Sequence, residues 1–262
     1  MADYTAETIT VNGCAVEMLR GGAGEALLFL HGAGGMKAGA PYLDELARRF
    51  TVFAPSHPGF GRSDTPDWLD NMSDMAYFYL DLIEQLDLWN IHLVGNSLGG
   101  WLAAEIAVRS TERLRTLTLV SPAGVRVVGV PMGDIFLWGP EERVRKTMFN
   151  QKLADARLAA NISEEEAEIN LKNHFATAKL AWSPRFHNPD LEKWLHRIRV
   201  PTMIIWGDSD NIFPPAHGKA YHAAIPGSQL RIVPECGHLP HQEKLADFLA
   251  GIDAITKQGA AA

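Results

Sequence analysis

A chain of 262 residues, 47% hydrophobic and 21% charged, can bury the core of about one α/β domain and has the composition of a soluble globular protein. Its formal net charge of −7 excludes the basic face of a nucleic-acid binder and disfavours adhesion to an anionic membrane surface. The start "MADYTAETIT" has no basic n-region and no apolar h-region, and the longest early apolar run, "ALLFL", is far too short to span a bilayer. Cys14 and Cys236 form neither a metal spacing nor a disulfide framework. A cytoplasmic setting without membrane or nucleic-acid partners is the expectation.

Along the chain, "TITVNGCAVEML" predicts a hairpin, because two strand-like runs flank Asn12-Gly13, a pair that tolerates the positive φ angles of a type I′ turn. After the flexible "RGGAGE", short apolar runs alternate with longer helical ones. The runs at 26–30, 51–54, 91–94, 114–120, 201–206 and 229–233 predict strands. Stretches near 41–49, 73–87, 98–109, 216–224 and 241–254 predict helices. Continuously apolar strands separated by helices specify a parallel sheet covered on both faces. Right-handed crossovers put each strand-to-helix loop at the carboxyl edge of that sheet, where open α/β sheets bind ligands. The closing "KQGAAA" reads as a frayed end.

Residues 122–190 break the rhythm with weak helices and the aromatics Phe136, Trp138, Phe149, Phe175 and Trp182. Ser163 and Glu166 stand in capping-box spacing at the head of a helix, and the acidic run 164–166 reads as its solvated first turn, not a metal site. The segment reads as a lid over the carboxyl edge. It divides the chain into an α/β core of residues 1–121 and 191–262 and a helical cap of residues 122–190. The lid aromatics, with Met132 and Met148, either line an apolar pocket or are ordinary core.

The chemistry gathers at "IHLVGNSLGGW", where Gly95-Asn96-Ser97-Leu98-Gly99 has G-x-S-x-G spacing between a predicted strand and a predicted helix. In such a turn the flanking positions have no room for a Cβ, so glycine is required. The serine is held exposed at a helix N-terminus, where the dipole and the Leu98 amide can stabilise negative charge. A serine nucleophile needs a base, and the base needs an orienting acid. Two later loops reach the same edge, "GDSDNIFPP" and "PECGHLPHQEK". They offer Asp208 or Asp210 as the acid and His238 or His241 as the base. Cys236 reads as a small packed residue, not a reactive thiol.

In these motifs the sequence resembles the α/β-hydrolase superfamily, over roughly residues 25–122 and 198–250. The resemblance implies an α/β fold with a mostly parallel, eight-stranded central sheet flanked by helices and a helical cap. It assigns the acid to Asp210, at the last position of a G-x-x-D turn, and the base to His238, which follows a glycine. "FLHGAGG" matches the family's His-Gly oxyanion loop. Ala33, with Gly34 as the alternative, would therefore join Leu98 in the oxyanion hole, and His31 would make structural hydrogen bonds. In "PSHPGFGRSD" many members have aspartate where this chain has Ser56, which leaves the hydrogen bonding of that turn open.

The activity so implied is hydrolysis of a small-molecule apolar ester or related carbonyl compound through an acyl-enzyme, with no metal and no organic cofactor. A histidine base implies a rate that falls on acidification. "GNSLGG" also resembles the carbon–carbon bond hydrolases of aromatic meta-cleavage products, in which the asparagine before the serine, here Asn96, lies by the substrate. That group usually has tryptophan after the catalytic Gly-His, where this chain has Leu239. A lid arginine for a substrate carboxylate would support that reading, with Arg157 and Arg185 as candidates. A small-molecule binding protein of the same fold is the third reading, and the intact serine, acid and histidine weigh against it. Asn96, Phe136, Trp138, Trp182 and Leu239 are the expected pocket residues. Acyl specificity and oligomeric state have no readable pattern.

Overall fold

The computed structural model describes residues 4–259. The chain opens with the expected hairpin: β1 (Tyr4–Val11) and β2 (Cys14–Gly21) pair antiparallel, with Asn12 and Gly13 between them at φ of 50° and 77°. Strands and helices then alternate through β3 (Ala26–Leu30), α1 (Pro41–Ala47), β4 (Thr51–Pro55), α2 (Met72–Gln85), β5 (Ile91–Asn96), α3 (Leu98–Arg109) and β6 (Leu114–Val120). Three helices follow, α4 (Pro140–Thr147), α5 (Gln151–Ala159) and α6 (Glu164–Ala181), and then a 3-10 turn at Glu192–Arg197. The alternation resumes with β7 (Thr202–Gly207), α7 (Ala216–Ala224), β8 (Gln229–Val233), α8 (Pro240–Glu243) and α9 (Leu245–Gly259).

The eight strands form one sheet in the order β1-β2-β4-β3-β5-β6-β7-β8, antiparallel at the β1–β2 and β2–β4 pairs and parallel from β4 to β8. Its centre is buried on both faces, as the continuously apolar β5 and β7 demand. Side chains two apart share a face. Leu28 and Leu30 of β3, with Ile204 and Trp206 of β7, pack against α2, α3 and α7. Leu27 and Phe29, with Met203 and Ile205, pack against α1 and α9.

Two sequence expectations are corrected at the C-terminus. The helix expected over 241–254 is broken at Lys244 into α8 and α9. Of the tail expected to fray, Lys257–Gly259 stay in α9, which buries Ile252 and Ile255 on the sheet, and Arg115 Nε donates to the Gly259 carbonyl at 3.1 Å. Ala260–Ala262, like Met1–Asp3 at the other end, lie outside the described residues.

The helical segment between β6 and β7 leaves and re-enters the core at one place. Gly124 N donates to Phe186 O at 2.9 Å and Asn188 N to Gly124 O at 3.0 Å. The capping box at the head of α6 is complete, since Ser163 Oγ accepts from Glu166 N at 3.2 Å and Glu166 Oε2 from Ser163 N at 3.0 Å. The segment touches loops that follow β3, β4 and β8, all at the carboxyl edge: Asn173 of α6 reaches Gly34 and Gly61, and Thr147 of α4 accepts from His238 N at 2.8 Å. No helix among the described residues is long and apolar enough to cross a membrane.

Candidate active site

The glycines around Ser97 are there because backbone passes where a side chain would stand. A Cβ on Gly95 would overlap the Gly99 carbonyl, and one on Gly99 would overlap the Leu30 carbonyl. A Cβ on Gly100 would meet Pro122 at 2.9 Å. Strand β5 can thus turn at once into α3. The turning residue is Ser97 itself, at φ 54° and ψ −113°, a conformation that L residues rarely adopt and that surrounding bonds must impose. Ser97 N donates to Val120 O at 2.9 Å, and its carbonyl accepts from Trp101 N at 3.0 Å and Ala123 N at 3.1 Å. Its neighbours Asn96 and Leu98 are buried while Ser97 is half-buried, so the turn presents its hydroxyl.

Of the four rival acids and bases, the structure brings Asp210 and His238 to this hydroxyl. His238 Nε2 lies 2.8 Å from Ser97 Oγ, and His238 Nδ1 lies 2.7 Å from Asp210 Oδ2. Asp210 is held by its other oxygen, since Oδ1 accepts from Ile212 N at 2.8 Å and Phe213 N at 3.0 Å. Asp208 instead ties its turn to the histidine loop, accepting from Ser209 Oγ at 2.7 Å and from Cys236 N at 3.3 Å. His241 is buried beneath, edge-on to Tyr42 with ring centroids 4.7 Å apart. Cys236 is inert here, because burial, then the nearby Glu243, pushes its thiol up to about 12.

The histidine loop is strapped to the helical segment by contacts that the sequence did not reveal. A Cβ on Gly237 would meet Thr147 O at 2.5 Å and Phe149 N at 2.8 Å. Glu243 takes Gly237 N at 3.0 Å on Oε1, and Phe149 N and Asn150 N at 2.8 and 2.9 Å on Oε2. One carboxylate thereby ties the His238 loop to the α4–α5 junction.

Ala33 lies on the loop after β3 and Leu98 is the first residue of α3, directly after Ser97; among the described residues neither amide has a backbone acceptor. His31, at the head of the first loop, is structural in its contacts. Its Nε2 accepts from His57 N at 3.0 Å, so the proton sits on Nδ1, 2.7 Å from Gly32 O. His57 Nε2 faces the His31 carbonyl at 2.9 Å, leaving Nδ1 to accept from the Tyr79 hydroxyl. The turn at Ser56 is closed by Ser63, whose Oγ donates to Ser56 O at 2.7 Å and accepts from Glu17 N at 3.0 Å.

These buried rings make stability pH-dependent. Burial, opposed by the Gly32 carbonyl, pushes His31 down to about 4. Burial, then the charges of His238 and Arg157, pushes His241 down to about 3. An unfolded histidine titrates near about 6.5. Between that value and the folded one, the unfolded chain takes up protons that the folded chain refuses, so stability falls as pH falls. Each ring withdraws about 1.4 kcal/mol per pH unit in that window. The thermal midpoint should be level just above about pH 7 and drop steadily towards about pH 5; a midpoint unchanged over that acid range would show the rings to be charged or solvated.

Among the expected pocket residues, Phe136 and Trp182 meet edge-on with ring centroids 5.4 Å apart. Asn96 is buried, and its Nδ2 has no partner among the described residues. Leu239 is buried against Met148 and Ala154. Trp138 covers Gly133 and carries Lys146 Nζ over its ring at 4.8 Å. Trp182 is half exposed, with the Arg185 guanidinium 4.0 Å over its ring. Arg185 itself is occupied by Asp134, with contacts of 2.6 and 2.8 Å, and Arg157 lies exposed on α5. Phe136 connects to the histidine through two rings that the sequence reading passed over. It stacks on Phe186 at 5.0 Å; Phe186 meets Phe213 edge-on at 5.9 Å, and Phe213 meets His238 at 5.4 Å.

The chain compares closely with known proteins along almost its whole length. It is 30% identical to 2-hydroxymuconate semialdehyde hydrolase from a Pseudomonas species, covering 94% of this chain and 94% of that one. Among solved structures it superposes on the meta-cleavage product hydrolase of Pseudomonas fluorescens with a TM-score of 0.77 at 21% identity, covering 96% and 97% of the two chains. It superposes equally on a thermophilic esterase from Thermogutta terrifontis, with a TM-score of 0.76 at 24% identity over 97% and 99%. A family model described as "Alpha/beta hydrolase family" matches residues 27–251, a span running from the strand before the Ala33 loop to the helix after the His238 loop. With the sheet order, the strained serine turn and that match in agreement, the chain belongs to the alpha/beta hydrolase family.

Proposed function

We propose that the protein is a serine hydrolase that cleaves carboxylic esters through an acyl-enzyme. The observation that carries this reading is the unbroken contact from Ser97 Oγ through His238 to Asp210, with the serine presented at a strained turn. His238 Nδ1–H donates to Asp210, which leaves Nε2 to take the Oγ proton as Ser97 attacks the ester carbonyl. The oxyanion is held by the amides of Ala33 and Leu98. Collapse expels the alcohol, which receives the proton from His238 Nε2. Water, activated by the same nitrogen, then releases the acid and restores the serine. A panel of p-nitrophenyl esters tests this directly: turnover that Ser97→Ala removes is the expected result, and no turnover by the intact protein would overturn it.

A second reading is favoured by one observation, the buried and unpartnered Asn96 Nδ2 beside the serine. It is cleavage of a carbon–carbon bond in a vinylogous diketone, the activity expected if the chain acts as the meta-cleavage product hydrolases it is similar to would on such a compound. Faster cleavage of such a diketone than of any ester in the panel would hand the function to it.

The helical segment over residues 122–190 is the lid in this account, and its aromatics set the substrate range. Phe136, two rings away from His238, should govern acyl length more than chemistry. A pocket methylene is worth about 1–3 kcal/mol of discrimination. Phe136→Ala should therefore change the ratio of kcat/KM for octanoate and acetate esters by about tenfold or more. Equal losses on both esters would make Phe136 a scaffold residue.

A further inference from the structure

The amide of Ala33 sits in the turn Gly32–Gly35, closed by Gly35 N donating to Gly32 O at 3.1 Å. Its two ends rest on different walls. Gly32 is pressed on the serine turn, where a Cβ would stand 2.8 Å from Asn96 Oδ1 and 3.2 Å from Ser97 Cβ. The other end rests on α6. Asn173 Nδ2 lies 3.4 Å from the Gly34 carbonyl, and a Cβ on Gly35, at φ +79°, would overlap that same nitrogen. Asn173 is 3% exposed, and its Oδ1 accepts from Gly61 N at 2.9 Å. The carboxamide therefore uses both ends, as an acceptor on the loop after β4 and a donor on the loop after β3. A flipped carboxamide would set NH₂ against the Gly61 N–H and oxygen against the Gly34 carbonyl, so this orientation is the one the two partners select.

We propose that Asn173 is a positioning residue for the oxyanion donor: by holding Gly34 and Gly35 it sets the direction of the Ala33 amide, so the lid helix α6 completes the oxyanion hole. The proposal rests on the serine-hydrolase reading above. Gly34 is exposed, and nothing stands within 4 Å of where its Cβ would be, so beyond the turn's own Gly35–Gly32 bond the Asn173 contact is what braces its outer end. A donor turned away from the developing oxyanion slows attack without weakening substrate binding.

The test compares three variants. Asn173→Asp keeps the shape and the acceptor for Gly61 but sets an oxygen against the Gly34 carbonyl. Asn173→Ala removes both bonds. Lys172→Met is the control, since Lys172 Nζ anchors the same helix to Ser63 O at 2.5 Å without touching the Ala33 loop. Two assays are run on protein with a cooperative melt: the rate of labelling of Ser97 by a fluorophosphonate, whose phosphoryl oxygen occupies the same hole, and turnover of p-nitrophenyl acetate, giving kcat and KM. Removing an oxyanion donor outright costs about 10²–10³ in kcat, so a misdirected one should cost about 10–100-fold in kcat and in labelling, with KM held within about threefold. Lys172→Met should stay within about twofold of the intact protein in both. If Asn173→Ala does not fold, the isosteric Asn173→Asp carries the test. Labelling of the Asn173 variants at the unaltered rate overturns the proposal and leaves the hydrolase reading standing. An equal loss in Lys172→Met reduces Asn173 to a helix anchor and also overturns it. Failure of the intact protein to label at Ser97 ends the hydrolase reading and this proposal with it.

Discussion

Ser97→Ala should lower ester turnover by about 10⁴-fold or more while the fold and its thermal midpoint stay in place. The size follows from the mechanism: without Oγ no acyl-enzyme forms, and what remains is substrate held near the oxyanion donors and water. The fold should persist because the positive φ of residue 97 is imposed by the backbone bonds to Val120, Trp101 and Ala123, none of which uses the hydroxyl. Alanine in that conformation is strained as serine is, so the substitution changes the strain little. Parallel measurement of kcat/KM and of thermal unfolding checks both halves. A variant that keeps a tenth of the activity would require another nucleophile.

Asp210→Asn should have an effect of similar size, about 10⁴-fold in kcat, and Asp208→Asn a mild one. An amide at 210 can turn its NH₂ towards His238 Nδ1, which places the ring proton on Nε2, facing Ser97 Oγ, where it cannot accept. The alternative orientation would set that NH₂ against the amides of Ile212 and Phe213, which need an acceptor. The misset tautomer is therefore the one the surroundings enforce. Asp208 does not touch His238; it accepts from Ser209 Oγ and from Cys236 N of the histidine loop on one oxygen, Oδ1, and an amide oxygen at 208 can keep both contacts. The reverse ranking of the two variants would reassign the acid.

The strands, the serine turn and the hairpin were legible because their causes are local. A type I′ turn needs Asn12-Gly13, and backbone crossing backbone needs Gly95 and Gly99. The choice of Asp210 over Asp208 was legible only through the resemblance; in the structure it turns on two amides that hold one carboxylate oxygen. The short helices α4 and α5 were poorly legible because α4 buries no residue and α5 buries Ala154 alone, so neither carries an apolar stripe. The break at Lys244 was hidden because apolar residues recur on both sides of it. Asn173 and Glu243 gave no signal at all. Their partners lie 112 and 94 residues away in sequence, and no periodicity records such a contact.

The central claim is a covalent acyl group on Ser97, and trapping it is the most direct measurement. The protein would be mixed with excess p-nitrophenyl butyrate, quenched in acid during turnover, digested and analysed by peptide mass spectrometry. The account expects a burst of p-nitrophenol before the steady rate, and a butyryl adduct on the peptide that holds Ser97, absent from Ser97→Ala. Steady hydrolysis with no burst and no adduct, or an adduct on any other residue, would contradict it.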